Sequence, residues 1–205
     1  MPRMARIDRL FVTKLYRASL DGGTTRGLER ACRAVAAADK AGQAWCRANA
    51  YAGYTSYASL NDLTWRSPEF ARLAKRLDRH VARFAADLAF DLQGRALELD
   101  SLWINVLRRG AAHAGHIHPH SVISGTVYVR MPRKAAAIRF EDPRLPLMMA
   151  APVRRAEAAR EDRQFIYETP KAGGLLLWES WLRHEVPANP AASDRITVSF
   201  NYRWA

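Results

Sequence analysis

The chain has 205 residues, about half of them apolar and a quarter charged, with a net charge of +12 at neutral pH. That length accommodates one sizeable core, or one domain with a helical appendage, and not two full enzymatic domains. No stretch approaches the roughly 18 uninterrupted apolar residues of a membrane span, so a membrane protein is not expected. The positive charge invites nucleic acid as a partner, yet arginines are spread along the chain, lysines are few, and no basic run interleaves with aromatics. Nucleic acid is therefore not the expected partner, whereas an acidic small-molecule or peptide substrate is compatible with the charge.

Taken in chain order, Met1 to Leu10 is basic, lacks the apolar core and cleavage site of a secretory leader, and runs into alternating, strand-like sequence. A cytoplasmic protein is expected. The two cysteines, Cys32 and Cys46, have no metal-ligand spacing and read as small buried hydrophobes. After the Asp21-Gly22-Gly23 turn, residues 24–50 place Leu28, Cys32, Val35 and Ala36 at helical spacing and predict one helix or two. A further helix is predicted from Ser67, as N-cap with Pro68 at the first helical position, to Leu92. Its apolar stripe is Phe70, Leu73, Leu77, Val81, Phe84 and Leu88. His80 stands alone on that helix and reads as a surface or interfacial histidine.

From Ala96 onward the texture changes to short β-type runs: Leu97 to Leu107, Val122 to Arg130, Ala136 to Phe140, Gln164 to Glu168, Gly174 to Trp178, His184 to Val186 and Arg195 to Tyr202. Many short strands without intervening helices predict a sandwich or jelly roll, mainly β with N-terminal helices. Residues 1–205 are expected to form a single domain, 1–95 supporting and 96–205 carrying the catalytic core. The segment from Glu141 to Arg163 is expected to be a long loop over one mouth of the barrel.

Four of the six histidines fall between positions 113 and 120. On an extended segment His116 and His118 share a face and can present imidazoles to one ion. A polar, metal-free histidine loop explains an isolated His-x-His equally well. A third histidine, His184, precedes a strand in which Arg195, Thr197, Ser199 and Asn201 face one way and Ile196, Val198 and Phe200 the other. A polar row facing a barrel interior is costly unless it serves a bound group, and an arginine there suits a carboxylate, which its planar fork can grip through two parallel hydrogen bonds. Trp103 and Asn105 alternate with Leu102, Ile104 and Val106 and can line a pocket or pack in a core.

His-x-His-Pro, then Ser124-Gly125-Thr126-Val127-Tyr128-Val129, then Gly173 to Val186 with Trp181-Leu182-Arg183-His184, then Arg195-Ile196-Thr197, together resemble a bacterial group of 2-oxoglutarate and iron(II)-dependent oxygenases. The resemblance covers roughly Leu97 to Tyr202. It implies a double-stranded β-helix, a cupin-like jelly roll with helices packed on one sheet, using Fe(II), 2-oxoglutarate and O2 to hydroxylate a substrate. It also implies that His116 and His184 bind iron and that Arg195 grips the distal carboxylate of 2-oxoglutarate, with Thr197 and Tyr128 as hydroxyl donors, although Tyr128 reads equally as a core aromatic whose hydroxyl finds another partner. Trp181 is placed with Trp103 and Asn105 at the substrate pocket.

Two departures stand out. The wider superfamily has a carboxylate two residues after the first histidine, completing a facial triad, and here that position is His118. Either His118 is the third ligand, or it stands beside the ligands and a carboxylate such as Asp142 contributes; His113 and His120 read as rim residues or as residues beside the ligands. Trp178-Glu179-Ser180 also replaces a Phe-Pro-Ser type run. A three-histidine metalloenzyme without 2-oxoglutarate, or a basic non-enzymatic module, are the rival readings, and a monomer or a homodimer is equally compatible.

Overall fold

The computed structural model describes residues 5–204. Two antiparallel sheets carry the structure. The strands are β1 (Tyr16–Ser19), β2 (Tyr54–Thr55), β3 (Leu97–Leu107), β4 (His113–His116), β5 (Ile123–Arg130), β6 (Ile138–Glu141), β7 (Phe165–Glu168), β8 (Gly174–Glu179), β9 (His184–Val186) and β10 (Arg195–Trp204). The larger sheet runs β1-β8-β5-β10-β3-β2 and the smaller β4-β9-β6-β7. The helices are α1 (Gly22–Ala38), α2 (Lys40–Ala48), α3 (Leu63–Arg66) and α4 (Pro68–Asp87). None of the described helices is long and apolar enough to cross a membrane.

Alternation along the central strands divides the interior in two. Ile123, Val127 and Val129 of β5, Leu175 and Leu177 of β8, and Ile196, Val198, Phe200 and Tyr202 of β10 point toward the helices. There they meet Phe70, Leu73, Leu77, Val81 and Phe84 of α4 and Leu28 and Cys32 of α1 in one buried cluster. The intervening residues face the smaller sheet, where Leu107, Tyr128, Leu176 and Trp178 pack with Ile138, Phe140 and Val186. Each sheet strand thus serves two cores at a two-residue period. Burying a Leu, Ile or Phe side chain stabilises by roughly 1.5–3 kcal/mol, so the helix-facing cluster holds the helices on the larger sheet.

The helical region departs from its sequence reading in ways that capping explains. Residues 24–50 form two helices because Asp39 ends α1 and accepts a hydrogen bond from Gly42 N at 2.9 Å as the N-cap of α2. The helix expected to reach Leu92 stops at Asp87, and Ala89 beyond it takes a left-handed φ of 56°. Ser67 and Pro68 begin it as expected. The strand-like N-terminal sequence yields only β1, which pairs with β8; the described residues before Tyr16 belong to no strand. Cys32 and Cys46 are free and buried. His80 meets the Tyr16 hydroxyl through Nδ1 at 2.9 Å.

Candidate metal centre and cavity

In the smaller sheet β4 and β9 pair so that His116 lies opposite His184. Strand β4 ends at His116, so His118 does not share a strand face with it as expected; it returns through a loop in which its N–H donates to Ser180 O at 3.0 Å. The turn between β8 and β9 therefore fixes the backbone of one histidine and the start of the strand bearing another. One nitrogen from each of His116, His118 and His184 lies within 4.8 Å of the others, a spacing that suits a single ion. Among the described residues no carboxylate joins them. Asp142 is excluded by its surroundings: Arg144 bonds both of its oxygens, at 2.8 to 3.0 Å, and holds its carboxyl below the usual range.

The imidazoles are oriented before any ion arrives. His116 Nδ1 donates to Ala114 O at 2.6 Å and His184 Nδ1 to Leu182 O at 2.8 Å. A carbonyl only accepts, so in both rings the proton sits on Nδ1 and the Nε2 lone pair is free for a metal. The Trp178 and Phe140 rings lie 4.8 and 6.0 Å from the His184 ring and hold it in place. Burial pushes the pKa of His184 down to about 3 and that of His118 to about 4, with the neighbouring His116 adding to both. The rings are therefore neutral at working pH, the state that ligates a cation.

These histidines open into a cavity of about 400 Å³ between the sheets. Its floor is built on in-register rungs across β5, β10 and β3: Tyr128, Thr197 and Asn105; Thr126, Ser199 and Trp103; Ser124, Asn201 and Ser101; of these, Tyr128 and Ser124 are not among the lining residues, and Tyr128 is fully buried in the adjoining core. Hydrogen bonds run between rungs, from Asn105 Nδ2 to Ser199 Oγ at 3.2 Å, and within one, from Asn201 Nδ2 to Ser101 Oγ at 3.1 Å. Arg195 closes one end, 2% exposed, with no carboxylate paired to it among the described residues. Its guanidinium lies over the Tyr128 ring, 5.3 Å from the centroid. Arg195 Nε, Tyr128 Oη and Asn105 Oδ1 are buried without hydrogen-bond partners. Burial pushes the Tyr128 phenol up to about 12 and draws the Arg195 pKa down, yet guanidinium stays charged at any working pH. A buried, unpaired cation beside an unpartnered phenol is expensive unless an anion completes it. The donor set therefore fits a divalent metal together with a carboxylate ligand.

Trp103, Asn105 and Thr197 line the cavity. Trp181 does not: its ring is 47% exposed and its Nε1 donates to Glu179 at 3.1 Å, because the tight turn after β8 swings it outward. No described residue of the segment 141–163 lines the cavity. His120, with φ at 67°, stands outside it. His113, expected at the rim or beside the ligands, is in the wall, with Nε2 2.7 Å from the Tyr51 hydroxyl and a pKa pushed down to about 3 by burial and then by Arg195. Tyr51 and Tyr57, from the connection between α2 and α3, also line the cavity and carried no sequence signal.

Residues 101–201 match the model of a family described as "Putative 2OG-Fe(II) oxygenase". No curated protein matches the sequence. Among solved structures, the chain is similar to the epimerase SnoN in complex with Fe3+, alpha ketoglutarate and nogalamycin RO, with a TM-score of 0.65 and 15% identity over 93% of this chain and 79% of SnoN. It is also similar to HygX from Streptomyces hygroscopicus with nickel and 2-oxoglutarate bound, with a TM-score of 0.62 and 14% identity over 93% of this chain and 83% of HygX. A Pseudomonas putida prolyl-4-hydroxylase aligns over 94% of both chains with a TM-score of 0.58 and 13% identity. At these identities the likenesses speak to the fold. The matched segment spans β4 to β9 and most of β3 and β10, and so includes all three histidines and Arg195; residues 101–201 are a 2-oxoglutarate and Fe(II)-dependent oxygenase domain.

Proposed function

We propose that this oxygenase is of the hydroxylase type and acts on a small-molecule or peptide substrate, with the two sheets forming a double-stranded β-helix. In this reading His116, His118 and His184 hold Fe(II), and Arg195, Thr197 and Tyr128 hold 2-oxoglutarate. When bound, Fe(II), 2-oxoglutarate and O2 supply oxidative decarboxylation to succinate and CO2, with the second oxygen atom inserted into a substrate C–H bond. The protein contributes position and electrostatics. The Ala114 and Leu182 carbonyls keep two imidazoles aimed by accepting from their Nδ1 atoms. Arg195 and Tyr128 offer charge and a hydroxyl in a site where water cannot screen them. Trp103 and Asn105 form the wall against which substrate is oriented.

The single observation that carries the co-substrate assignment is the buried Arg195 with its unpartnered Nε beside the unpartnered Tyr128 hydroxyl. Residues 1–95 and 96–205 act as one unit in this reading, since α1 and α4 cover the sheet that forms the cavity floor. A cytoplasmic setting accords with two free, buried cysteines. The test is calorimetric titration of 2-oxoglutarate into anaerobic protein with and without Fe(II). Tight, iron-dependent binding is expected, and binding indifferent to iron overturns the reading in favour of a three-histidine enzyme without this co-substrate.

A further inference from the structure

The cavity has two electrically different ends. Arg195 lies at one, opposite Leu107 on β3, and six residues back along β3 the other end is lined by Asp100 and Ser101. Among the described residues Asp100 is the only carboxylate in the lining, and Arg195 the only arginine or lysine, although the chain has 32 Lys and Arg against 20 Asp and Glu. A bulge places Asp100 there. Asn201 pairs with Ser101 and Tyr202 with Leu99, which leaves Asp100 as the extra residue on β3. Such a residue escapes the strict alternation of the strand, and bulges beside functional sites commonly re-aim a side chain. The nearest cation, Arg203 Nη1, is 3.9 Å from Asp100 Oδ1, beyond hydrogen-bond distance, and both side chains are well exposed.

The wall beside Asp100 is aromatic. Tyr57 meets the Trp103 ring edge to face, with centroids 5.1 Å apart, and Trp103 in turn lies 5.8 Å from the His118 ring. Tyr57 is 63% exposed and Trp45, also in the lining, 40% exposed, so the cavity presents aromatic surface to an incoming molecule. Aromatic faces attract cations, and the long, exposed ion pair of Asp100 with Arg203 is weak enough to leave the carboxylate open to an incoming cation, whereas an acidic group beside Asp100 meets repulsion. The overall charge of +12 draws anions to the protein generally, but the lining decides what fits.

We infer that the substrate carries a protonated amine held between Asp100 and the Tyr57–Trp103 pair, with neutral hydroxyl or amide groups along Ser101 and Asn201. This rests on the hydroxylase reading above and names its substrate class. It replaces the acidic substrate that net charge alone suggested. A free amine-bearing small molecule and a lysine side chain of a peptide share this chemistry.

The experiment is a tryptophan-fluorescence titration of protein loaded with nickel and 2-oxoglutarate, using matched probes: glucosamine, glucose and glucuronate, and a lysine pentapeptide with its Nε-acetylated form. The amine should bind at least tenfold more tightly than its neutral partner in one pair, which identifies the source, and glucuronate should bind most weakly of the sugars. Asp100→Asn should erase that preference, and Tyr57→Ala should weaken amine binding severalfold while Tyr57→Phe retains it. Equal binding of amine and neutral probes in both pairs, glucuronate binding as tightly as glucosamine, or a preference that survives in Asp100→Asn overturns the inference. The same series on metal-free protein separates the two proposals. Failure of 2-oxoglutarate to bind sinks the hydroxylase reading, while the amine preference still reports on the Asp100 end.

Discussion

His116 and His184 face each other across the β4–β9 ladder with ring centroids 4.5 Å apart, and each ties its Nδ1 to the carbonyl two residues earlier in its own chain. The same local device on two opposed strands fixes both tautomers and leaves both Nε2 atoms directed away from the backbone. His184→Ala removes one of these and leaves His116 without its opposite partner. Iron affinity should fall at least ~100-fold, beyond the loss caused by disturbing groups behind a ligand, with 2-oxoglutarate turnover lost in parallel. Iron retained stoichiometrically by the variant after gel filtration would exclude His184 from the centre.

His118 stands where a carboxylate is usual, and it reaches the other two rings from a loop instead of a strand. Its Nε2 is 3.3 Å from His184 Nε2, so the two nitrogens converge on one point. His118→Ala should weaken iron binding by at least tenfold, whereas His118→Asp restores an anionic ligand and should retain metal-dependent 2-oxoglutarate binding. Competition of each variant against a chromogenic chelator measures both. Unchanged iron affinity in His118→Ala would reduce the centre to two histidines.

Arg195 is buried without an anionic partner, which makes its effect on stability opposite in the free and loaded protein. Arg195→Met removes an uncompensated buried charge while keeping volume, so the free protein should melt at the same or a higher temperature. The stabilisation that 2-oxoglutarate gives the nickel-loaded protein should disappear, with its Kd raised on the order of 100-fold, consistent with losing a two-bond charged contact. Melting curves with and without co-substrate check both halves. A large destabilisation of the free variant would mean that Arg195 is a structural cation.

Much of this was legible in the sequence, and the misses have a common cause. Strands β5, β8 and β10 and the second half of β3 are buried on both faces and rich in β-branched, aromatic and Leu residues between turn-forming segments, so composition and punctuation locate them. Strand β4 reads His-Ala-Gly-His, poor β-forming sequence that is a strand only through pairing with β9. Its register shifts between His113 and His116, so counting by twos from His116 puts His113 on the wrong face. Tyr51 has no periodic neighbour to mark it. Trp181 was misplaced because alternation does not continue through the turn that follows β8.

Tyr51 and His113 offer a test of the part the sequence hid. The Tyr51 hydroxyl lies 2.7 Å from His113 Nε2 in a buried wall close to Arg195. Tyr51→Phe leaves a largely buried ring nitrogen without its partner and should cost about 1–2 kcal/mol of folding stability, from the desolvation left uncompensated. Urea unfolding of the metal-free variant measures it, and a loss below experimental error would show that water replaces the hydroxyl.

Acid sensitivity of the metal-free protein follows from the same burial. The pKa values of His113, His118 and His184 lie at about 3, 4 and 3 in the folded chain, against the ordinary 6.5 of the unfolded one, with desolvation the leading cause in each. For a base whose folded pKa is depressed, the unfolded state binds the extra proton between the two values. Stability is therefore fully present above about pH 6.5 and declines as pH falls toward 4 and 3. With three such groups, unfolding near pH 5 takes up about three protons, a slope of roughly 4 kcal/mol per pH unit where all three differ fully. Bound metal competes with those protons for the His118 and His184 rings, so saturating nickel should shift the acid midpoint downward. Unfolding followed by circular dichroism from pH 8 to 4, with and without nickel, decides the matter. An acid midpoint insensitive to nickel would mean that these rings do not hold the ion.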